Sequence, residues 1–192
     1  MPIPLIGGDR AAKDISRIGF ALLDAAGCDS SHIQNASMFK TMLDKGFNCP
    51  LSSGMGRLFD GVANILGIKE RCSYEGHGAV LLEAAADTAE TGCYPYTLTG
   101  SPLRFDWQET VRCLVSDKNN RVPTPVCAAK FMNTLIAMAL ELCILARKSS
   151  GIEDVVLSGG SFQNMYIMER LPARLESEGF RVWRHSRVST ND

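Results

Sequence analysis

Residues 155–164, Val-Val-Leu-Ser-Gly-Gly-Ser-Phe-Gln-Asn, constrain the architecture of this chain more than any other stretch. Val155, Val156 and Leu157 read as a short buried strand. Ser158, Gly159 and Gly160 end it, and a helix is expected from about residue 162. A strand that closes in paired glycines and opens into a helix leaves backbone N–H groups aimed outward with no side chain in the way. Such a turn is either a cradle for an anion or a nucleotide or simply a tight connection. A second strand is expected over 179–183, Gly-Phe-Arg-Val-Trp, parallel to the first through a right-handed crossover. Pro172 predicts a kink or restart in the helix over 164–178 between them.

The remainder reads as mostly helix. Asp9 is expected to cap a helix over 9–26 that Gly27 stops, and Ser30 or Ser31 to start a second that Gly46 closes. A third runs to about Gly67 with Met55, Leu58, Phe59, Val62, Ile65 and Leu66 as its buried stripe. Its other face carries Gly56, Asp60, Asn64 and Gly67 at helical spacing. Small residues flank a single carboxylate there, so another molecule's surface can approach Asp60, and a carboxylate so placed can accept the two hydroxyls of a ribose. An ordinary exposed Asp is the alternative. A fourth helix is expected over 77–91, a two-stranded hairpin over 93–105, and a capping box at 106–109 opening a helix to about 116. Residues 117–120 read as a polar loop. The longest helix runs from Pro123 or Pro125 to Lys148, with Phe131, Leu135, Met138 and Leu142 on its buried stripe. The whole reads as one partial domain over 1–192. A helical part covers 1–92, the hairpin and long helices 93–150, and the strand–Gly-Gly–helix–strand element 151–192.

Bulk properties exclude some classes. A net charge of −1 over 192 residues gives no electrostatic case for nucleic acid or an anionic membrane. No unbroken apolar run approaches the roughly 20 residues of a membrane span, and no secretory leader is read at the N-terminus. Seven cysteines stand singly with no C-x-x-C pair, which predicts reduced, mostly buried thiols in a cytoplasmic protein. His32, His77 and His185 are too dispersed for a local His-x-x-His metal site.

Several motifs together resemble one family. They are the 155–164 stretch, Glu169-Arg170-Leu171, Gly179-Phe180-Arg181-Val182, Ser53-Gly54-Met55-Gly56-Arg57-Leu58-Phe59-Asp60, Leu66-Gly67 and Ser73-Tyr74-Glu75-Gly76. This wording is similar to the C-terminal part of the HypF family, carbamoyltransferases of [NiFe]-hydrogenase maturation. It is more distantly similar to the Kae1/TsaD proteins that make the threonylcarbamoyl modification of tRNA. The resemblance implies a mainly α fold with a small α/β part, the second lobe of an actin/Hsp70-like (ASKHA, Kae1-like) nucleotide-binding domain.

The resemblance also implies site residues. Gly159, Gly160 and Asn164 would contact the nucleotide and Asp60 its ribose. Gly76 would share in that site; the alignment puts the corresponding loop glycine at His77. Asp192 would be a metal ligand. The implied chemistry uses carbamoyl phosphate and ATP, through carbamoyl-adenylate, to carbamoylate the C-terminal cysteine of the partner protein HypE, with a divalent metal (Fe or Zn) in the complete enzyme. The family's upstream domains and the first half of the transfer domain, with its two metal-binding histidines, have no counterpart here. This predicts that the polypeptide alone is not a competent enzyme. The alternatives are a non-catalytic helical interaction fragment able to form a homodimer, and a Kae1/TsaD-like tRNA-modification relative.

Overall fold

The computed structural model describes residues 1–185 and 189–190. The chain order is β1 (Ile3–Pro4), α1 (Arg10–Lys13), α2 (Ser16–Ala25), α3 (Ala36–Asp44), β2 (Leu51–Ser52), α4 (Met55–Ile65) and α5 (His77–Ala85). There follow β3 (Thr97–Thr99), β4 (Arg104–Asp106), α6 (Gln108–Asn119), α7 (Thr124–Ser150), β5 (Asp154–Leu157), a 3-10 turn at Gly160–Gln163, α8 (Met165–Ser177) and β6 (Arg181–Arg184). The strands form three separate pairs. β1–β2 and β3–β4 are antiparallel, and β5–β6 is parallel in the register Val155↔Val182, Val156↔Trp183.

The core is built around α7, most of whose residues between 127 and 138 are buried. Phe131 meets Phe59 of α4 edge to face, ring centres 5.4 Å apart, and Phe20 of α2 meets Phe39 of α3 at 5.6 Å. By length and composition α7 could cross a membrane, contrary to the expectation that no segment would. The same apolar residues are here the centre of the packed interior. Its buried polar groups are used. Asn133 donates to the carbonyls of Glu90 and Gly92 at 3.0 and 2.9 Å, and Thr134 Oγ1 accepts from the Tyr94 N–H at 2.8 Å. Those bonds, with Asp87 N–H to Pro125 O at 3.0 Å, hold 86–96 in non-helical backbone. This is why the fourth helix stops at Ala85 and not near 91.

Other boundaries move for equally local reasons. The helix expected over 9–26 is two helices. The 68–72 segment reaches in with Cys72 N–H to Lys13 O (2.7 Å) and Ile15 N–H to Glu70 O (3.0 Å), and Asp14 leaves helical backbone. The second helix starts at Ala36, because Asp29 Oδ1 holds the Ser31 N–H in a turn and Asn35 sits left-handed at φ 65°. At 106–109 Asp106 accepts from Gln108 N–H, but Glu109 turns to Arg112 at 2.7 Å, so the box does not close. Residues 117–119 are helix. Asp117 accepts from Lys130 Nζ at 2.9 Å and from Tyr94 Oη at 3.1 Å, which anchors the end of α6 to α7. Helix α8 runs unbroken through a buried Pro172. Among the described cysteines only Cys127 is fully buried; Cys93 is exposed and the others lie between.

On the small-residue face of α4, Gly56 and Gly67 are exposed with nothing within 4 Å of an added Cβ, whereas Asp60 between them is buried. α4 lies between α2 and α5. A Cβ on Gly61 would stand 2.3 Å from Leu22 Cδ1 of α2, and one on Gly19 would stand 2.2 Å from Asn64 Oδ1. These glycines let the two backbones close up.

Candidate functional site

Three segments far apart in sequence meet at one cleft of about 690 Å³. The first turns of α4 supply Gly56, Arg57 and Phe59. The 74–76 loop and α5 supply Tyr74, Gly76 and Glu83 among others. The 3-10 turn supplies Gly160, and Asn164 follows it. Gly76 opens α5 at φ +82°, a backbone conformation L side chains avoid. The volume lies in the range of small-molecule sites.

Of the residues singled out in the sequence, the structure brings Gly76, Gly160 and Asn164 to this wall. Gly159 sits beside it at φ +102°, and its N–H donates to Thr190 O at 2.7 Å. Asn164 is 8% exposed. Its Oδ1 accepts the Ile167 N–H at 3.0 Å and caps α8, while Nδ2 lies 3.6 Å from Met132 Sδ. The next free donor of α8, the Met165 N–H, goes to Glu83 Oε1 at 2.7 Å. A carboxylate of the protein therefore already occupies the positive end of α8. The outward-facing N–H groups expected of the Gly-Gly turn are in part consumed internally. Asp192 lies outside the described residues.

Asp60 is directly behind the cleft, not on it. It is 1% exposed. Arg57, three residues earlier on the same helix, lines the cleft and places Nη1 3.1 Å from Asp60 Oδ2, while Nη2 contacts Glu75 Oε1 at 3.0 Å. The Nη1–Oδ2 contact is a charge pair outside hydrogen-bond geometry. Asp60 Oδ1 and Arg57 Nη1 are both buried without a hydrogen-bond partner. On the far side α5 comes so close that a Cβ on Gly78 would stand 2.9 Å from Asp60 Oδ1. Desolvation pushes the Asp60 carboxyl up to about 6; Arg57 opposes this and Glu75 adds to it.

Sequence reasoning missed Arg57, Glu83 and Tyr74. The i, i+3 spacing of Arg57 and Asp60 was a usable local signal. Glu83 meets Met165 across 82 positions, and no local pattern announces such a pair. Tyr74 stacks on His77 with ring centres 4.5 Å apart and 13° between planes, and the Ser73 N–H donates to His77 Nδ1 at 3.3 Å. His77 thereby braces the loop at the position where the motif suggested a second glycine.

No group of three or more His, Cys, Asp or Glu among the described residues could hold a metal ion.

A helix-rich body carrying one parallel β–α–β unit, its Gly-Gly turn at the rim of the cleft, defines a Kae1-like subdomain. Residues 1–192 match the family described as carbamoyltransferase, Kae1-like domain, second subdomain. The chain is 32% identical to the carbamoyltransferase HypF of Synechocystis over 93% of its own length and 26% of that protein. It is 34% identical to that of Rhodobacter capsulatus over 100% of its length and 25% of that protein. A crystal structure of full-length HypF in the phosphate- and nucleotide-bound form superposes with a TM-score of 0.93 at 30% identity, covering 99% of this chain and 31% of that one. The chain belongs to the HypF carbamoyltransferase family and spans about a quarter of the length of these curated relatives.

Proposed function

We propose that this chain forms the nucleoside-facing half of a carbamoyl-transfer site, the second lobe of an ASKHA-type nucleotide-binding domain. In the complete cytoplasmic system, carbamoyl phosphate and ATP give carbamoyl-adenylate, and the carbamoyl group passes to the C-terminal cysteine of HypE. A divalent metal, with Asp192 among its ligands, belongs to that complete site. The observation that carries this reading is the convergence of Gly76, Gly160 and Asn164 on one cleft with Asp60 immediately behind it. The charged side chains lining the wall are Arg57, Glu75 and Glu83. A wall with two carboxylates to one guanidinium repels a polyphosphate and suits the neutral, hydroxyl-rich nucleoside end. The phosphates then point toward groups outside this chain. Calorimetric titration with adenosine, AMP and ATP tests this. Comparable micromolar binding of all three is expected. No binding of any, or binding of ATP alone, overturns it.

A second reading, an interaction module, is favoured by one observation. The β5–β6 pair is parallel, a type of sheet normally covered on both faces, yet Val156 and Trp183 are 67% and 58% exposed as cross-strand neighbours. Concentration-dependent mass by light scattering supports self-association through this face. A strict monomer that binds nucleoside leaves the half-site reading alone.

A further inference from the structure

A second cavity, of about 710 Å³, lies at the opposite end of α4 from the cleft. Asn64 and Gly67 bring the end of α4 to it, the 68–71 segment forms one wall, and Gln34 and Asn35 contribute another. Its charge is one-sided. Lys69, Arg71 and Lys118 line it, and none of the three has an ion-pair partner among the described residues. Of the two carboxylates there, Asp14 is already held by Ser16 Oγ at 2.6 Å and Arg17 Nε at 2.9 Å. Glu70 alone stands against the three cations, a local surplus of two positive charges on a chain whose net charge is −1. Like charges gathered on a concave wall repel one another and focus a field that attracts an anion.

The wall is held in place by its backbone. The Ile15 N–H donates to Glu70 O at 3.0 Å, the Cys72 N–H to Lys13 O at 2.7 Å, and Asn64 Nδ2 to Lys69 O at 3.1 Å. A segment pinned on both sides needs little further ordering when a ligand arrives. Lys118 gives one donor to the Ile65 carbonyl at 2.5 Å and keeps two. Asn35 opens α3 in left-handed backbone at φ 65° and makes no side-chain cap bond, so the positive end of α3 borders the same space. No Phe, Tyr or Trp among the described residues lines the cavity, so nothing there stacks a base. We propose that this cavity is a second ligand site, separate from the cleft, for a small oxyanion carrying two or more negative charges, a polyphosphate or a polycarboxylate. Arg71 offers a planar fork that takes two oxygens at once, and Lys69 and Lys118 supply point charges beside it. A singly charged anion leaves part of the surplus uncancelled. The inference stands apart from the nucleoside reading of the cleft.

The test titrates pyrophosphate, citrate and acetate calorimetrically at low ionic strength into the wild type, Lys69→Gln, Arg71→Gln and Lys148→Gln, with amide ¹H–¹⁵N shifts recorded for each complex. The side chains of Lys69 and Arg71 make no hydrogen bond or ion pair among the described residues, so both variants keep the fold. Lys148 is an exposed cation of α7 that does not line the cavity and controls for net charge. The wild type is expected to bind pyrophosphate or citrate roughly tenfold or more tighter than acetate, and loss of Lys69 or Arg71 to weaken that binding roughly tenfold, as one charge-assisted hydrogen bond gives. Lys148→Gln binds as the wild type does. Added salt weakens the interaction. The shifted amides fall at 34–35 and 67–71. Binding of pyrophosphate alone assigns a phosphate ligand and of citrate alone a polycarboxylate, and each supports the site. No binding of either polyanion, acetate binding as tightly, equal weakening in all three variants, or shifts confined to 160–164 overturns it.

Discussion

A buried carboxylate with a raised pKa makes the folded chain less stable as pH rises, and the substitution Asp60→Asn measures how much. In the fold the Asp60 carboxyl titrates near 6, against an ordinary value of 3.8. A difference of about 2 units at 1.36 kcal/mol each is about 3 kcal/mol. Because the folded pKa is the higher one, the unfolded chain releases its proton first. Stability from this group is full below pH 3.8, falls between there and 6, and is constant above. An asparagine in place of the acid removes that loss while keeping the shape. The variant should therefore be more stable than the wild type by about 3 kcal/mol at pH 7.5, and by only roughly 1 kcal/mol at pH 4.5. Urea unfolding at the two pH values, read as midpoint shifts at unchanged slope, supplies the comparison. A gain independent of pH, or a loss that grows with pH, would refute the claim that Asp60 sits uncompensated. The second result would mean that Arg57 more than offsets the desolvation.

The remaining predictions concern the seams around the site. Gly78→Ala drives a Cβ to 2.9 Å from Asp60 Oδ1 and should destabilise by roughly 1–2 kcal/mol, but be close to neutral in an Asp60→Ala background; equal costs in a double-mutant cycle would show that the clash lies elsewhere. Asn164→Ala removes the cap bond to the Ile167 N–H and should cost about 1 kcal/mol, with hydrogen exchange rising first in the opening turn of α8. Phe131→Ala empties the contact with Phe59 under α4 and should cost roughly 3–5 kcal/mol in urea unfolding; a cost below about 1 kcal/mol would mean that α7 is not the centre of the core.

What could be read from the sequence follows from what is local. The strand, Gly-Gly turn and second parallel strand are written in one contiguous stretch and a matching Gly-Phe-Arg-Val, and they form with β5 and β6 in register. The long helix is equally legible, because its apolar stripe repeats along its whole length. The α1–α2 break was illegible, since its cause is backbone contact from residues 70–72 to Lys13 and Ile15. The early end of α5 has the same kind of cause in Asn133 and Pro125. At the site, the motif residues could be named but not their exposure. Asp60 on a face of small residues looked open, but the glycines that admit α2 and α5 to bury it are others, Gly61 of its own helix and Gly19 and Gly78 of the two neighbours.

A carboxylate at 1% exposure with one unpartnered oxygen costs stability at neutral pH, and an uncharged side chain at the same place would not carry that charge cost. Arg57 offsets part of the cost, yet it is held by Glu75 as well and leaves its own Nη1 unsatisfied. The apolar residues of the surrounding α2–α4–α5 seam, Ile15, Ile18, Leu22 and Phe59, are buried and need no charge beside them.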